Sequence, residues 1–248
     1  ALLAGTATKV AVYLLLRFVF TLFGPTFAFA GQPLAMLLMA LALVAILATS
    51  TSAIFQQDAK RLLAYSSVAQ IGYIVLGISL LTLAGMTAGM VHLFNHALTK
   101  TALFLALGAV FYRLGSARID DLAGIGRQMP LTMFAFVIAG FSLIGVPMTV
   151  GFVSKWTLIS ALFDRGLWPL AVLVLLGSLL AVIYIWRVVE AAYFRPRPEG
   201  AEAVAEAPLA MLLPLWLLVA ASVYFGLDTS LTLDTAERAA GLLLGALG

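Results

Sequence analysis

The chain of 248 residues contains no cysteine. Disulfides, thiolate metal sites and nucleophilic thiols are therefore excluded, and cysteine usage says nothing about the redox compartment. Charge is also scarce: Asp, Glu, Lys and Arg make up 10% of the residues, against about 25% in soluble domains. The net charge of +3 comes without a basic tract, which excludes nucleic acid as a partner. Of the carboxylates only Glu190 falls inside a hydrophobic segment, three residues after Arg187, and a local pair between the two is expected. The layout of a secretory signal is missing, as is the alternating pattern of a membrane barrel.

What is abundant is apolar surface. Hydrophobic residues make up 63% of the chain and mean hydropathy is +1.11, which identifies an all-α polytopic membrane protein. Eight apolar segments reach helical length, at about 1–23, 33–55, 62–83, 86–113, 130–146, 148–163, 167–190 and 208–226. Turn chemistry separates them: Gly24-Pro25, the polar run Gln56 to Arg61, Ala84-Gly85, the loop Arg113 to Gln128, and Asp164-Arg165-Gly166. Residues 195–207, rich in Pro, Glu and Ala, form a polar linker expected in water. Asp234-Thr-Ala-Glu237 carries a helix-start signal, so the tail is expected to be either a short interfacial helix or a disordered end. Gly145, Pro147 and Gly151 interrupt what would otherwise continue as a helix. That predicts a discontinuous helix lining a cavity, the alternative being a tight hairpin.

The chemistry concentrates in His92-Leu-Phe-Asn-His96-Ala-Leu-Thr-Lys100, which holds both histidines of the chain and one of its four lysines. Residues four apart stack on one helix face with a rise of about 6 Å, so His92, His96 and Lys100 form a ladder flanked by Asn95 and Thr99. Ionisable groups inside membrane segments mark proton or ion paths by default. Histidine passes protons between its ring nitrogens near neutral pH, and a desolvated lysine exchanges its proton more readily than one in water. Lys9 and Lys155 are the other lysines within apolar segments, whereas Lys60 stands at a helix entrance. Hydroxyls precede the three embedded lysines as Thr8, Thr99 and Ser154, and Gly5-x3-Lys9 echoes Gly151-x3-Lys155. Snorkelling of the lysine heads to an interface is the competing explanation. Asp58 is placed to cap the following helix, with Lys60 and Arg61 near the headgroups. Ser66, Ser67 and Gln70 line water or hold helices together. No carboxylate or thiol adjoins the histidine pair, so neither a metal site nor a Ser-His-Asp triad is expected. Three embedded lysines without an intramembrane carboxylate imply a counter-charge from elsewhere. Because the chain opens on Ala1 within an apolar helix, an upstream part of the protein or another polypeptide is expected to supply it.

These motifs carry a resemblance. Asp58-Ala-Lys-Arg-Leu-Leu-Ala-Tyr-Ser-Ser-Val, His92-x3-His96-x3-Lys100, Ile119-Asp-Asp-Leu-Ala-Gly with Met129-Pro130, and Gly145-Val-Pro147 before Gly151-Phe-Val-Ser-Lys155 resemble the proton-conducting antiporter-like membrane subunits. These include the antiporter-like subunits of Mrp-type Na⁺/H⁺ antiporters, of respiratory complex I and of membrane-bound hydrogenases. The resemblance implies a fourteen-helix bundle of two inverted repeats, of which this chain would be the C-terminal half. On that scheme 1–55 ends the first repeat, 56–194 is the second, 195–207 is the linker, and 208–248 holds the last transmembrane helix and tail. Lys9 would belong to the first broken helix and Lys155 to the second, with His96 and Lys100 between them. The implied function is proton translocation within a multi-subunit Na⁺/H⁺ antiporter or, alternatively, within complex I or a hydrogenase as a non-redox component. Other membrane subunits and protons are the implied partners, with Na⁺ as the candidate exchanged ion. No cofactor is implied, and the setting would be a bacterial plasma membrane. By the positive-inside rule, Lys60, Arg61, Arg113, Arg118 and Arg127 favour the cytoplasm for their loops.

Overall fold

The computed structural model describes residues 2–24 and 33–245. Ala1, Pro25 of the first expected turn and the last three residues of the tail lie outside them. Among the described residues ten helices follow one another: α1 (Leu2–Leu16), α2 (Pro33–Ile54), α3 (Ala59–Ser79), α4 (Leu83–Leu114), α5 (Ile125–Gln128), α6 (Pro130–Ile144), α7 (Val150–Asp164), α8 (Trp168–Phe194), α9 (Leu209–Leu227) and α10 (Ser230–Gly245). A π-helical stretch, Arg17–Leu22, extends α1. Among the described residues six spans are long and apolar enough to cross a membrane: α1 with its extension, α2, α3, α4, α8 and α9. The two shorter helices α6 and α7 are halves of one discontinuous element.

Helix ends follow local chemistry. Asp58 accepts from Arg61 N–H at 3.0 Å and starts α3 three residues earlier than its apolar run. Thr82 accepts from Gly85 N–H at 3.1 Å at the start of α4, and Gly115 closes that helix with φ +73°, where glycine has no Cβ to clash. The α3–α4 crossing is unusually close. A Cβ on Gly77 would stand 2.7 Å from Gly85 O, and one on Gly89 would stand 3.0 Å from Ile74 O.

Alternating spans bring the polar loops to one face. The segment before α3 meets the loop after α4 through a main-chain β-bridge at Asp58 and Arg118, with Ala59 N–H donating to Ala117 O at 2.8 Å and Ile119 N–H to Gln57 O at 2.9 Å. The linker joins them, with Arg113 donating to Glu206 O at 2.7 Å and Arg195 pairing with Asp120 at 3.1 Å. Lys60, Arg61, Arg113, Arg118, Arg127, Arg195 and Arg197 thus share this basic face. The Glu206 carboxylate turns back into the bundle, accepting from Leu131 N–H at 2.8 Å and Thr132 Oγ1–H at 2.5 Å. It caps α6.

Two expectations need correction. Glu190 does not pair with Arg187: it pairs with Arg195 at 3.1 Å, while Arg187 donates to Ile54 O and to Gln56 O. Arg187 lies on α8 beside the end of α2, whose last carbonyls have no partner within their own helix. The tail helix starts at Ser230, not at Asp234. Asp228 accepts from the Ser230 hydroxyl at 2.6 Å and from its N–H at 3.1 Å, and these bonds hold the Asp228 carboxyl below its usual range. α10 then packs on α4.

Candidate functional site

The site is built around α4, which touches α1, α3, α6, α7, α9 and α10. Its position explains how His92, Asn95, His96, Thr99 and Lys100 all become buried, each at most 4% exposed. No other described helix offers so many neighbours to a polar face.

The discontinuous helix supplies the second wall. Gly145 (φ +96°) and Met148 (φ +71°) take left-handed conformations on either side of Pro147, so α6 ends and α7 restarts at Val150. Lys155, one turn into α7, reaches back across the break. Its Nζ donates to Leu143 O at 2.9 Å and Ile144 O at 2.8 Å. These are the free carbonyls at the negative end of the α6 dipole. The Tyr73 ring lies 4.9 Å from the same ammonium, a distance suited to cation–π attraction. Gly151 makes this fold possible, because a Cβ there would lie 1.7 Å from Ser142 O.

The expected ladder is present, but its rungs differ in their bonding. His92 and His96 stack nearly parallel, with ring centroids 6.4 Å apart. His92 is bonded at both nitrogens, Nε2–H donating to Gln70 Oε1 at 3.0 Å and Nδ1 accepting from Ser154 Oγ at 2.8 Å. His96 has no hydrogen-bond partner at either nitrogen, nor has Asn95 Oδ1, among the described residues. Both line a cavity of about 10 Å³ together with Gln70, Thr99, Ser142 and Gly151. That is close to the roughly 10–15 Å³ that one water needs, and the lining offers it several polar partners. Asn95 Nδ2 donates to Val150 O at 2.6 Å, tying α4 to the restart of α7.

Lys100 turns to α3, where it donates to Leu63 O at 2.9 Å and to Ser66 Oγ. Thr99 and Ser142 share a hydrogen bond at 2.8 Å, and Ser222 of α9 reaches Ser142 at 3.2 Å. Lys9 is 7% exposed on α1 and is an electrostatic neighbour of His92, His96 and Lys100. Helix α1 runs unbroken through Lys9, so the echo of its motif in α7 is one of packing: a Cβ on Gly5 would stand 2.0 Å from Thr101 Oγ1. Thr8 Oγ1 is buried beside it without a hydrogen-bond partner among the described residues.

Two expected residues stand apart. Lys60 lies over the Phe111 ring, 3.1 Å from its centroid, and Ser67 bonds to its own helix at Leu63 O, 2.9 Å away. Conversely, Tyr73, Ser142, Tyr184 and Ser222 join the site although no sequence motif pointed to them. Tyr184 is fully buried on α8 and faces Ser66 and Gln70. The only sequence signal for Ser142 and Ser222 is a lone hydroxyl in an apolar run. A cavity of about 430 Å³ between α4, α9 and α10 is apolar and takes no part in this row.

Comparison with known proteins gives consistent matches. The family described as NADH:quinone oxidoreductase/Mrp antiporter, TM, matches residues 1–181. NADH-quinone oxidoreductase subunit N of Desulforudis audaxviator is 40% identical over 242 residues, covering 92% of this chain and 47% of that protein. In solved structures, a chain of respiratory complex I from Thermus thermophilus superposes with TM-score 0.86 and 25% identity, covering 98% of this chain and 50% of that one. A chain of the Mrp complex from Dietzia sp. gives TM-score 0.85 and 25% identity, covering 97% of this chain and 53% of that one. The chain spans about half the length of the curated relatives it matches.

Proposed function

The chain belongs to the NADH:quinone oxidoreductase/Mrp antiporter transmembrane family, and from that membership we propose that it is a proton-translocating membrane subunit of a redox-driven complex. Protons pass along Lys155, His92, His96, Lys100 and Lys9, with Gln70, Ser154, Thr99, Ser142 and Ser66 bridging the gaps. The observation that carries this reading is the buried pair of unengaged His96 nitrogens at a cavity sized for one water, between two lysines that bond only to carbonyl and hydroxyl oxygens. Neutral and charged forms of such lysines differ little in their partners. Proton uptake and release therefore need no rearrangement of an ion pair.

The complex lies in a prokaryotic plasma membrane with other membrane subunits, the basic face towards the cytoplasm. Residues 56–194 are the second inverted repeat and 1–55 the end of the first. An antiporter assembly exchanging Na⁺ for H⁺ is the second reading, favoured by the likeness to the Mrp complex; the higher identity to a quinone oxidoreductase component favours the first.

Proteoliposomes of the assembled complex discriminate them. Proton uptake driven by quinone reduction, abolished in Lys155→Ala with assembly intact, is the expected result. Proton movement driven by a Na⁺ gradient and independent of any electron donor would establish the antiporter reading. Full transport by an assembled Lys155→Ala complex would remove Lys155 from the path.

A further inference from the structure

Away from the polar row, the basic face holds a cleft of about 290 Å³ between the α5 loop and the end of α8, lined by Gly124, Arg127, Gln128, Tyr193 and the Phe194–Arg197 segment. Its floor is close-packed backbone. Gly124 (φ +69°) would place a Cβ 2.9 Å from Arg197 N, and Gly126 would place one 2.8 Å from the Tyr193 ring.

The three arginines of this cleft are not equivalent. Arg195 is committed to Glu190 and Asp120, at 3.1 Å each, and works as a staple between α8 and the loop. Arg197 donates only to main-chain carbonyls, Asp121 O at 3.2 Å and Ala123 O at 3.4 Å, and its buried Nε–H has no hydrogen-bond partner among the described residues. Carbonyl oxygens orient a guanidinium but leave its charge uncompensated. Arg127 is exposed and has neither an ion pair nor a hydrogen bond through its guanidinium among the described residues. Of the neighbouring acids, Asp120 and Glu190 are engaged by Arg195, and Asp121 accepts from Ser116 Oγ at 2.5 Å. Two guanidinium groups without an ion-pair partner among the described residues therefore line the cleft, the charge and donor chemistry that a phosphate group calls for.

The surroundings identify the source of the phosphate. The cleft opens where the α8 span ends, beside Phe194 (69% exposed) and Trp186 (52% exposed), whose rings lie 5.5 Å apart. Exposed aromatics at a span end mark the depth of the headgroups, and basic pockets at that depth recognise anionic lipids. We propose that Arg127 and Arg197 hold the phosphate of an anionic phospholipid in this cleft, with its acyl chains along the Trp186 side of α8. The site is independent of the transport reading.

The test uses the full chain, purified in mild detergent and reconstituted with phosphatidylcholine containing spin-labelled phosphatidylglycerol. The wild type is expected to retain an immobilised phosphatidylglycerol fraction that phosphatidylcholine does not displace. Arg127→Gln should lower this preference by about fivefold, the factor one cationic side chain contributes near an anionic surface. Because Arg127 has no folded-state partner among the described residues, this variant leaves the fold intact. Arg197→Lys keeps the charge but loses the fork and should give a smaller fall, while Arg165→Gln on the opposite side should give none. An unchanged preference in Arg127→Gln would overturn the proposal. Displacement of the labelled lipid by inorganic phosphate at equal concentration would also overturn it, by showing an aqueous anion site instead of a headgroup site.

Discussion

Glu206 and Lys155 hold the two ends of one helix. The Glu206 carboxylate accepts from the first N–H groups of α6, while the Lys155 ammonium donates to its last carbonyls. They are separated by the length of a fifteen-residue helix, about 22 Å. Each charge complements the nearer pole of the helix dipole. A residue of the polar linker and a residue of the buried row are thus anchored to the same helix.

The first prediction tests that anchorage. Glu206→Ala removes a helix cap and should lower the stability of the purified chain by about 1 kcal/mol, read as a fall in the thermal midpoint. Because the Glu206 carboxylate also ties the linker to the bundle, the linker should be cleaved faster by added protease. Unaltered cleavage would show that Arg113 and Gln128, which bond to the linker backbone at Glu206 O and Val204 N, suffice to hold it.

The second prediction separates the histidines by two readouts. His92→Leu leaves Gln70 Oε1 without its partner and Ser154 with only its bond to Gly151 O, and an orphaned buried group costs about 1–3 kcal/mol. His96→Leu breaks no hydrogen bond to the described residues and should be tolerated in stability. In proton transport by the assembled complex the order should reverse, His96→Leu losing most of the flux because it lines the cavity with an apolar group. His96→Gln should fall between wild type and His96→Leu, since an amide holds water but does not take up a proton near neutral pH. Wild-type flux in His96→Leu would mean that the proton bypasses this rung.

Much of this architecture is legible in the sequence because lipid imposes it. Eight apolar runs become eight helices, and Gly145 with Pro147 announces the break, since both local backbone and hydropathy register there. The ladder is equally plain, being set by helical periodicity within α4. What does not show is which polar groups meet across helices. His92 and Ser154 are 62 positions apart, and Thr99 and Ser142 are 43 apart. Such pairs depend on how helices rotate against one another, which no local pattern encodes. Glu190 illustrates the same limit: helical spacing favours Arg187, yet Arg187 is drawn to the last carbonyl of α2, Ile54 O, and to Gln56 O just beyond it.

The third prediction follows from the shared glycine motif. Gly151→Ala would drive a methyl group into the Ser142 carbonyl, a backbone atom that cannot step aside, so α6 and α7 must separate. Overpacking of this kind costs about 1–3 kcal/mol or more, and the variant should give a low yield of assembled complex. Gly5→Ala meets the Thr101 hydroxyl, a side-chain atom that can turn away at the loss of its bond to Ala97 O, and should assemble much better than Gly151→Ala. Comparable yields from the two variants would show that the break at Pro147 yields enough to relieve the clash.

The close α3–α4 crossing bears on how the chain enters the bilayer. Gly77 meets Gly85 and Gly89, residues only 8 and 12 positions away, so the hairpin closes at little cost in chain entropy. Lys100 already finds Leu63 and Ser66 within that hairpin, and His92 finds Gln70. The pair of helices can therefore enter the bilayer with Lys100 and one His92 nitrogen already bonded by its own atoms, while Asn95, Thr99 and the other His92 nitrogen wait for α6 and α7. During biogenesis the charged end of the ladder is thus settled first, and its neutral rungs are completed only when the broken helix arrives.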